Sequence, residues 1–211
     1  MTDPSTPGPG PELAALGAAT LGESGAATMA PRLRPIWPGA ALSAPAYPVR
    51  CTPGDNLAIH VAVARAPAGS VLVVDVGATA QRGYWGEVLT TGAESRGLAG
   101  LVIDGGVRDT AALEAHRFAV FAVTVSLPGA TKERPGTVGA PARVGGVTVA
   151  RGDWVVADGD GVVVIPAASL GDVLGRGRAR ADKEAGFFAA LRDGATTLEL
   201  LDLDTGPVVE S

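Results

Sequence analysis

Between its many glycines and prolines the chain alternates short unbroken apolar runs with stretches of helical period. Residues 70–76 (SVLVVDV) are apolar, β-branched and few, the pattern of a strand buried on both faces. A glycine-bearing loop over 77–86 follows, then a helix from Gly86 to about Arg96, a stop at Gly97 and a second buried strand over 101–104. This is a β-loop-α-β unit, whose strands run parallel and whose crossover is right-handed. A helix over 110–117 and a strand over 119–125 complete a second crossover. Further helices are predicted over 12–21 and over 56–65, the second with Asp55 as its cap candidate. Residues 144–150, 154–157 and 161–165 read as short antiparallel strands joined by tight turns, before a last helix over about 169–192.

The punctuation divides the chain of 211 residues into three parts. Residues 1–11, rich in proline and glycine, form a flexible N-terminus; residues 12–193 form one α/β domain; residues 194–211 form a C-terminal extension whose apolar LELLDL needs a partner surface. Hydrophobic residues make up 46% and aromatics only 4%, so Ala, Val and Leu must build the core. A net charge of −5 argues against nucleic acid or an anionic membrane as the main partner. No apolar run suggests a membrane span, and the first residues lack a secretory layout. Cys51 stands alone, so no intrachain disulfide can form and a reducing cytoplasm is the expectation.

The two crossover loops leave the carboxyl ends of parallel strands, so both lie on the sheet edge where open α/β sheets place ligands. One begins the helix at Gly86, directing unpaired N–H groups and the positive dipole end into the crevice. The other carries Arg108 and Asp109 (GGVRD). A carboxylate substrate would meet amides and a guanidinium there, and Glu87 and Asp109 could hold a hard divalent ion. Taken singly, each residue has an ordinary reading: Asp109 as a helix cap, Glu87 as a first-turn acid, Arg108 as a solvated loop arginine. The DGDG at 158–161 lacks the later ligands of a calcium loop and reads as a hairpin turn. Neither a GxGxxG nor a GxxxxGK[ST] motif is present. His60 and His116 lack a second metal-type neighbour at helical spacing and are expected in the core or on the surface.

The joint pattern resembles the RraA-like proteins, which include metal-dependent 4-hydroxy-4-methyl-2-oxoglutarate aldolases. WGEVLTT at 85–91 and GLVIDGGVRD at 100–109 carry the likeness, with an acidic residue, twenty intervening residues and then Arg-Asp. Pro53-Gly-Asp-Asn56 with His60, Gly145-Gly146-Val147 and ADGDGVVVIP at 157–166 extend it over roughly residues 30–190. The resemblance implies a single swivelling-type β/β/α domain with a parallel βαβ core and a C-terminal helix, assembled as a homotrimer or hexamer. It implies a lyase that releases pyruvate from 2-oxo acids, with Asp109 a direct ligand of Mg²⁺, Mn²⁺ or another divalent ion and Glu87 holding metal-bound waters. Arg108 would bind the 2-oxo acid and stabilise its enolate, and the amides of Gly86, Glu87, Val88 and Leu89 would take its carboxylate. Glu184, in RADKE, resembles the segment that family trimers send toward a neighbour's site. Other members of the same family regulate a ribonuclease by binding it, which is the alternative function.

Overall fold

Four parallel strands lie side by side because every link between them is a helical crossover. The computed structural model describes residues 8–77 and 81–209. Strand β3 (Leu42–Arg50) leads through α2 (Leu57–Arg65) to β4 (Val71–Asp75). The chain continues through β5 (Gly83–Trp85) and α3 (Glu87–Ser95) to β6 (Gly100–Val107), then through α4 (Thr110–Ala115) to β7 (Ala119–Val125). Pairing runs β3-β4-β6-β7, parallel throughout. Strand β4 is buried on both faces, which explains why Val71 to Val74 carry no polar residue. Two short strands, β1 (Ala27–Thr28) and β2 (Arg34–Pro35), follow α1 (Gly10–Glu23), and β2 closes the β7 edge.

The second half of the sheet is antiparallel. After β8 (Thr137–Val138), β9 (Ala142–Val144) and β10 (Val147–Val149), strands β11 (Trp154–Ala157) and β12 (Val162–Ile165) pair as a hairpin. Strand β11 joins the first four residues of β3, whereas β4 joins the last five, so β3 belongs to both halves. Two prolines in such a strand would ordinarily break its ladder. Ala46 turns its N–H and C=O toward the β11 side, bonding Asp153 and Gly152, so Pro45 faces the β4 side one residue before β4 begins. The carbonyl of Pro48 accepts from Gly139, so its N–H-less nitrogen faces the short β8 side.

Alternation along β11 and β12 builds two cores. Val155, Val162 and Val164 face the main core, while Val156, Val163 and Ile165 pack with Leu13 and Leu21 of α1 and with Val173 of α5 (Leu170–Arg192). Among the described residues, no helix is long and apolar enough to cross a membrane.

Several boundaries differ from the sequence expectation for local reasons. Residues 144–150 are not one strand: Gly145 and Gly146 adopt φ of 56° and 85° and turn β9 back onto β10, with Val144 opposite Val147. Strand β6 runs on through Gly105 and Gly106 to Val107, with a register shift against β7 at these glycines, so they sit within a strand and not in a turn. The helix over residues 12–21 starts earlier, at Gly10, with Pro11 in its first turn, and is interrupted at Gly17, whose φ is 76°. Asp158 caps the resumed helix, its Oδ2 accepting from Ala18 N at 2.7 Å, while its Oδ1 accepts from Asp160 N in the expected tight turn. The C-terminal extension contains α6 (Thr197–Leu201), started by a Thr196–Glu199 capping box. Of the N-terminal stretch expected to be flexible, residues 1–7 lie outside the described residues.

Candidate active site

The turn at the head of α3 is built around Trp85. Its ring is buried, stacks on Phe118 at 5.9 Å between centroids and donates from Nε1 to Thr90 Oγ1 at 2.7 Å. That pins the first turn of α3 to the sheet. Thr90 N–H makes the first helical bond, to Gly86 O, so the N–H groups of Glu87, Val88 and Leu89 are left outside the helical ladder. Gly86 is extended, and a Cβ there would collide with the Asp109 carboxylate. Glycine is needed for space, not for its dihedral freedom.

Arg108 and Asp109 arrive at the end of β6. Arg108 N–H donates to Trp85 O at 2.9 Å, which joins the two loops. Asp109 precedes α4 but its side chain makes no capping bond to that helix. Its backbone is left-handed, with φ 57°, a conformation that costs a non-glycine residue about 1 kcal/mol. The carboxylate instead crosses to α3, Oδ2 accepting from Glu87 N at 3.1 Å, with the Arg108 guanidinium 3.8 Å away. The ordinary cap reading therefore describes the position of Asp109 and not what its side chain does.

A cleft of about 210 Å³ opens here, lined by Gly86, Val88, Leu89, Arg108 and Asp109 on one side. That size suits a small polar metabolite better than a drug-sized ligand. The opposite wall comes from α2 and the 129–132 loop, and contributes Asn56, His60 and Lys132. Asp55, buried at 1% exposure, ties this wall together. Its carboxylate accepts from Leu57 N, Thr131 Oγ1, Glu133 N and Arg134 N, bracketing Lys132. Burial opposes its ionisation, yet the donors, led by Glu133 N, outweigh that and hold its pKa down at about 2. The expected cap of α2 thus shifts by one residue: Asn56 is in the cap position, while Asp55 holds two segments at once.

Sequence reasoning missed the α2 wall; only the DN-x3-H spacing hinted at it. His60 was expected in the core or on the surface, but it lines the cleft half-buried, its pKa lowered by burial and by Lys132 against the pull of Asp55. Glu87 gives its N–H to the site while its side chain points elsewhere: the carboxylate lies 3.6 Å from His116 Nε2. His116 Nδ1 is 2.8 Å from Glu94, and this contact, ahead of Glu87, raises the pKa of the imidazole. Glu184, on α5, pairs with Arg180 at 2.8 Å and does not line the cleft of its own chain. Among the described residues no three His, Cys, Asp or Glu side chains gather as a metal cage. The chemistry available is one carboxylate, one guanidinium, a helix N-terminus and a polar far wall.

Comparison with known proteins adds to this geometry. Residues 18–164 match the family described as RraA-like, Aldolase/RraA. A protein of Halalkalibacterium halodurans named "Putative 4-hydroxy-4-methyl-2-oxoglutarate aldolase" is 36% identical over 142 residues, spanning 67% of this chain and 68% of that protein. The structure of an uncharacterized protein from Pseudomonas syringae pv. tomato superposes with a TM-score of 0.75 at 25% identity, covering 86% of this chain and 90% of that one. The RNA-processing inhibitor RraA from Thermus thermophilis superposes with a TM-score of 0.61 at 30% identity, over 67% of this chain and 85% of its own.

Proposed function

Because this chain belongs to the RraA-like family, we propose that it is a divalent-metal-dependent carbon–carbon lyase. It cleaves 4-hydroxy-4-methyl-2-oxoglutarate-type 2-oxo acids to pyruvate and decarboxylates oxaloacetate through the same pyruvate enolate. The observation that supports this best is the Asp109 carboxylate, which forgoes its own helix and, from a left-handed backbone, meets the α3 N-terminus at the wall of a cleft. The amides of Gly86, Val88 and Leu89, joined by that of Glu87 once Asp109 releases it, take the substrate carboxylate, favoured by the helix dipole. Arg108 lies beside them and stabilises negative charge as it develops on the 2-keto oxygen.

The donor set suits a hard ion. Asp109 is a single oxygen ligand, with a side chain 42% exposed, which leaves coordination positions for water and substrate oxygens. Mg²⁺ or Mn²⁺ fits such a site, whereas zinc held by three protein ligands does not. Bound there, the ion would supply Lewis-acid polarisation of the keto group. Glu87 would act on the surrounding waters once its carboxylate leaves His116. A homotrimer or hexamer in the cytoplasm would bring Glu184 to a neighbour's cleft. In support of assembly, α5 buries only Val173 and Gly177 along its 23 residues.

The likeness to the Thermus inhibitor supports a second reading, a protein-binding regulator of ribonuclease activity. Oxaloacetate decay with Mg²⁺ or Mn²⁺ separates the two. The lyase reading expects decay above background that EDTA abolishes and that Asp109→Ala loses. Background rates in every sample, together with tight binding of a ribonuclease, would replace it with the regulator.

A further inference from the structure

Two polar atoms of residues that line the cleft have no task in this scheme. Asn56 is 5% exposed, and its Oδ1 has no hydrogen-bond partner among the described residues; neither has His60 Nε2. The two side chains are four positions apart at the start of α2 and so share a helix face. Both line the cleft that Arg108 and Asp109 line from the other side. A buried polar atom left bare costs about 1–3 kcal/mol, and native structures keep few of them.

The chemistry of the missing partner can be read from the bonds already made. Asn56 Nδ2 donates to Tyr84 O at 2.8 Å. Turning the amide over would set Oδ1 against that carbonyl, so its orientation is determined and its free atom is an acceptor. A carboxylate or keto oxygen cannot satisfy it. His60, kept neutral by burial and by Lys132, can offer an N–H from Nε2. An acceptor and a donor on successive turns match a hydroxyl group, which both donates and accepts.

We propose that Asn56 and His60 form a hydroxyl-reading subsite for the 4-hydroxyl of a 4-hydroxy-2-oxo acid whose 2-oxo end lies at Arg108 and the α3 amides. The inference rests on the lyase reading and adds to it the residues that select the hydroxylated substrate. Both atoms are withdrawn from bulk solvent, so a ligand lacking the hydroxyl leaves them unsatisfied, and this is what makes such a site selective.

The test uses the full chain with Mg²⁺ and two competitors of oxaloacetate decarboxylation, 4-hydroxy-2-oxoglutarate and 2-oxoglutarate, which differ by the hydroxyl alone. The wild type should favour the hydroxylated competitor by roughly 10- to 100-fold. Asn56→Ala and His60→Leu should collapse that ratio toward one, and His60→Gln, which keeps an N–H donor, should restore part of it. Equal inhibition by both competitors, or variants that weaken both alike, would overturn the subsite and leave the lyase standing. Failure of the wild type to turn over oxaloacetate or to bind either competitor would overturn the lyase reading and the subsite with it. Melting curves accompany each variant, and the pair of His60 variants decides the matter should Asn56→Ala not fold.

Discussion

At the scale of single residues, Asp55 and Asp109 show how one side-chain type serves opposite ends. Asp55 is enclosed by four donors, and its lowered pKa makes it a source of stability. A carboxyl that is more acidic when folded stabilises above its unfolded pKa, near 3.8, and loses that contribution as pH falls toward about 2. The contribution amounts to about 2 kcal/mol. Urea midpoints should therefore put the wild type above Asp55→Asn by about that much at neutral pH, with the gap closing between about pH 4 and pH 2. Asp109 should behave otherwise. Asparagine tolerates the left-handed backbone and keeps an oxygen for Glu87 N–H, so Asp109→Asn should change stability by less than about 0.5 kcal/mol. Calorimetry with Mn²⁺ should show its binding lost, and turnover should fall roughly 100-fold or more. A large drop in melting temperature with intact metal binding would return Asp109 to a purely structural role.

Among the elements, the β9–β10 hairpin shows where pattern reading stops. Its residues form an apolar run that looks like one strand, yet two consecutive positive φ angles reverse the chain in the middle. The two glycines should differ when replaced by alanine. At Gly146 a Cβ meets open space, so only the backbone strain of about 1 kcal/mol applies. At Gly145 a Cβ would press on Leu33 and Met29 at 2.7 and 2.9 Å, and overpacking adds roughly 1–3 kcal/mol. Equal denaturation midpoints for the two variants would count against this account of the turn. The parallel strands were easier to read. Residues 70–76 and 119–125 are largely apolar because most of their side chains are buried, and β4 and β7 appear there with nearly the expected ends. Strand β3 was hidden by Pro45 and Pro48, whose fit depends on partners far along the chain.

For the whole molecule, the notable feature is how little the C-terminal region buries. Phe188, Leu198, Leu201 and Leu203 are each about half exposed, and the extension had been expected to need a partner surface. The proposed homo-oligomer would place these side chains between copies. Light scattering should report a mass above that of one 21.0 kDa chain. Leu198→Glu combined with Leu201→Glu should shift it to smaller species. Oxaloacetate turnover should fall in parallel if Glu184 serves a neighbouring cleft, and a monomeric wild type would remove that role from Glu184.

What the sequence determined by itself was local. Buried runs named three of the four parallel strands, and the 87–109 spacing singled out two loops on one sheet edge because successive crossovers must return to it. The tertiary structure decided which atoms meet. No periodicity could show that Asp109 would turn from its own helix to the N–H of Glu87, or that the Glu87 carboxylate would rest against His116. Nor could it place Asn56 and His60 across from Arg108. Those contacts join segments distant along the chain, and their geometry is set by how sheet, crossovers and the Asp55-held loop pack together.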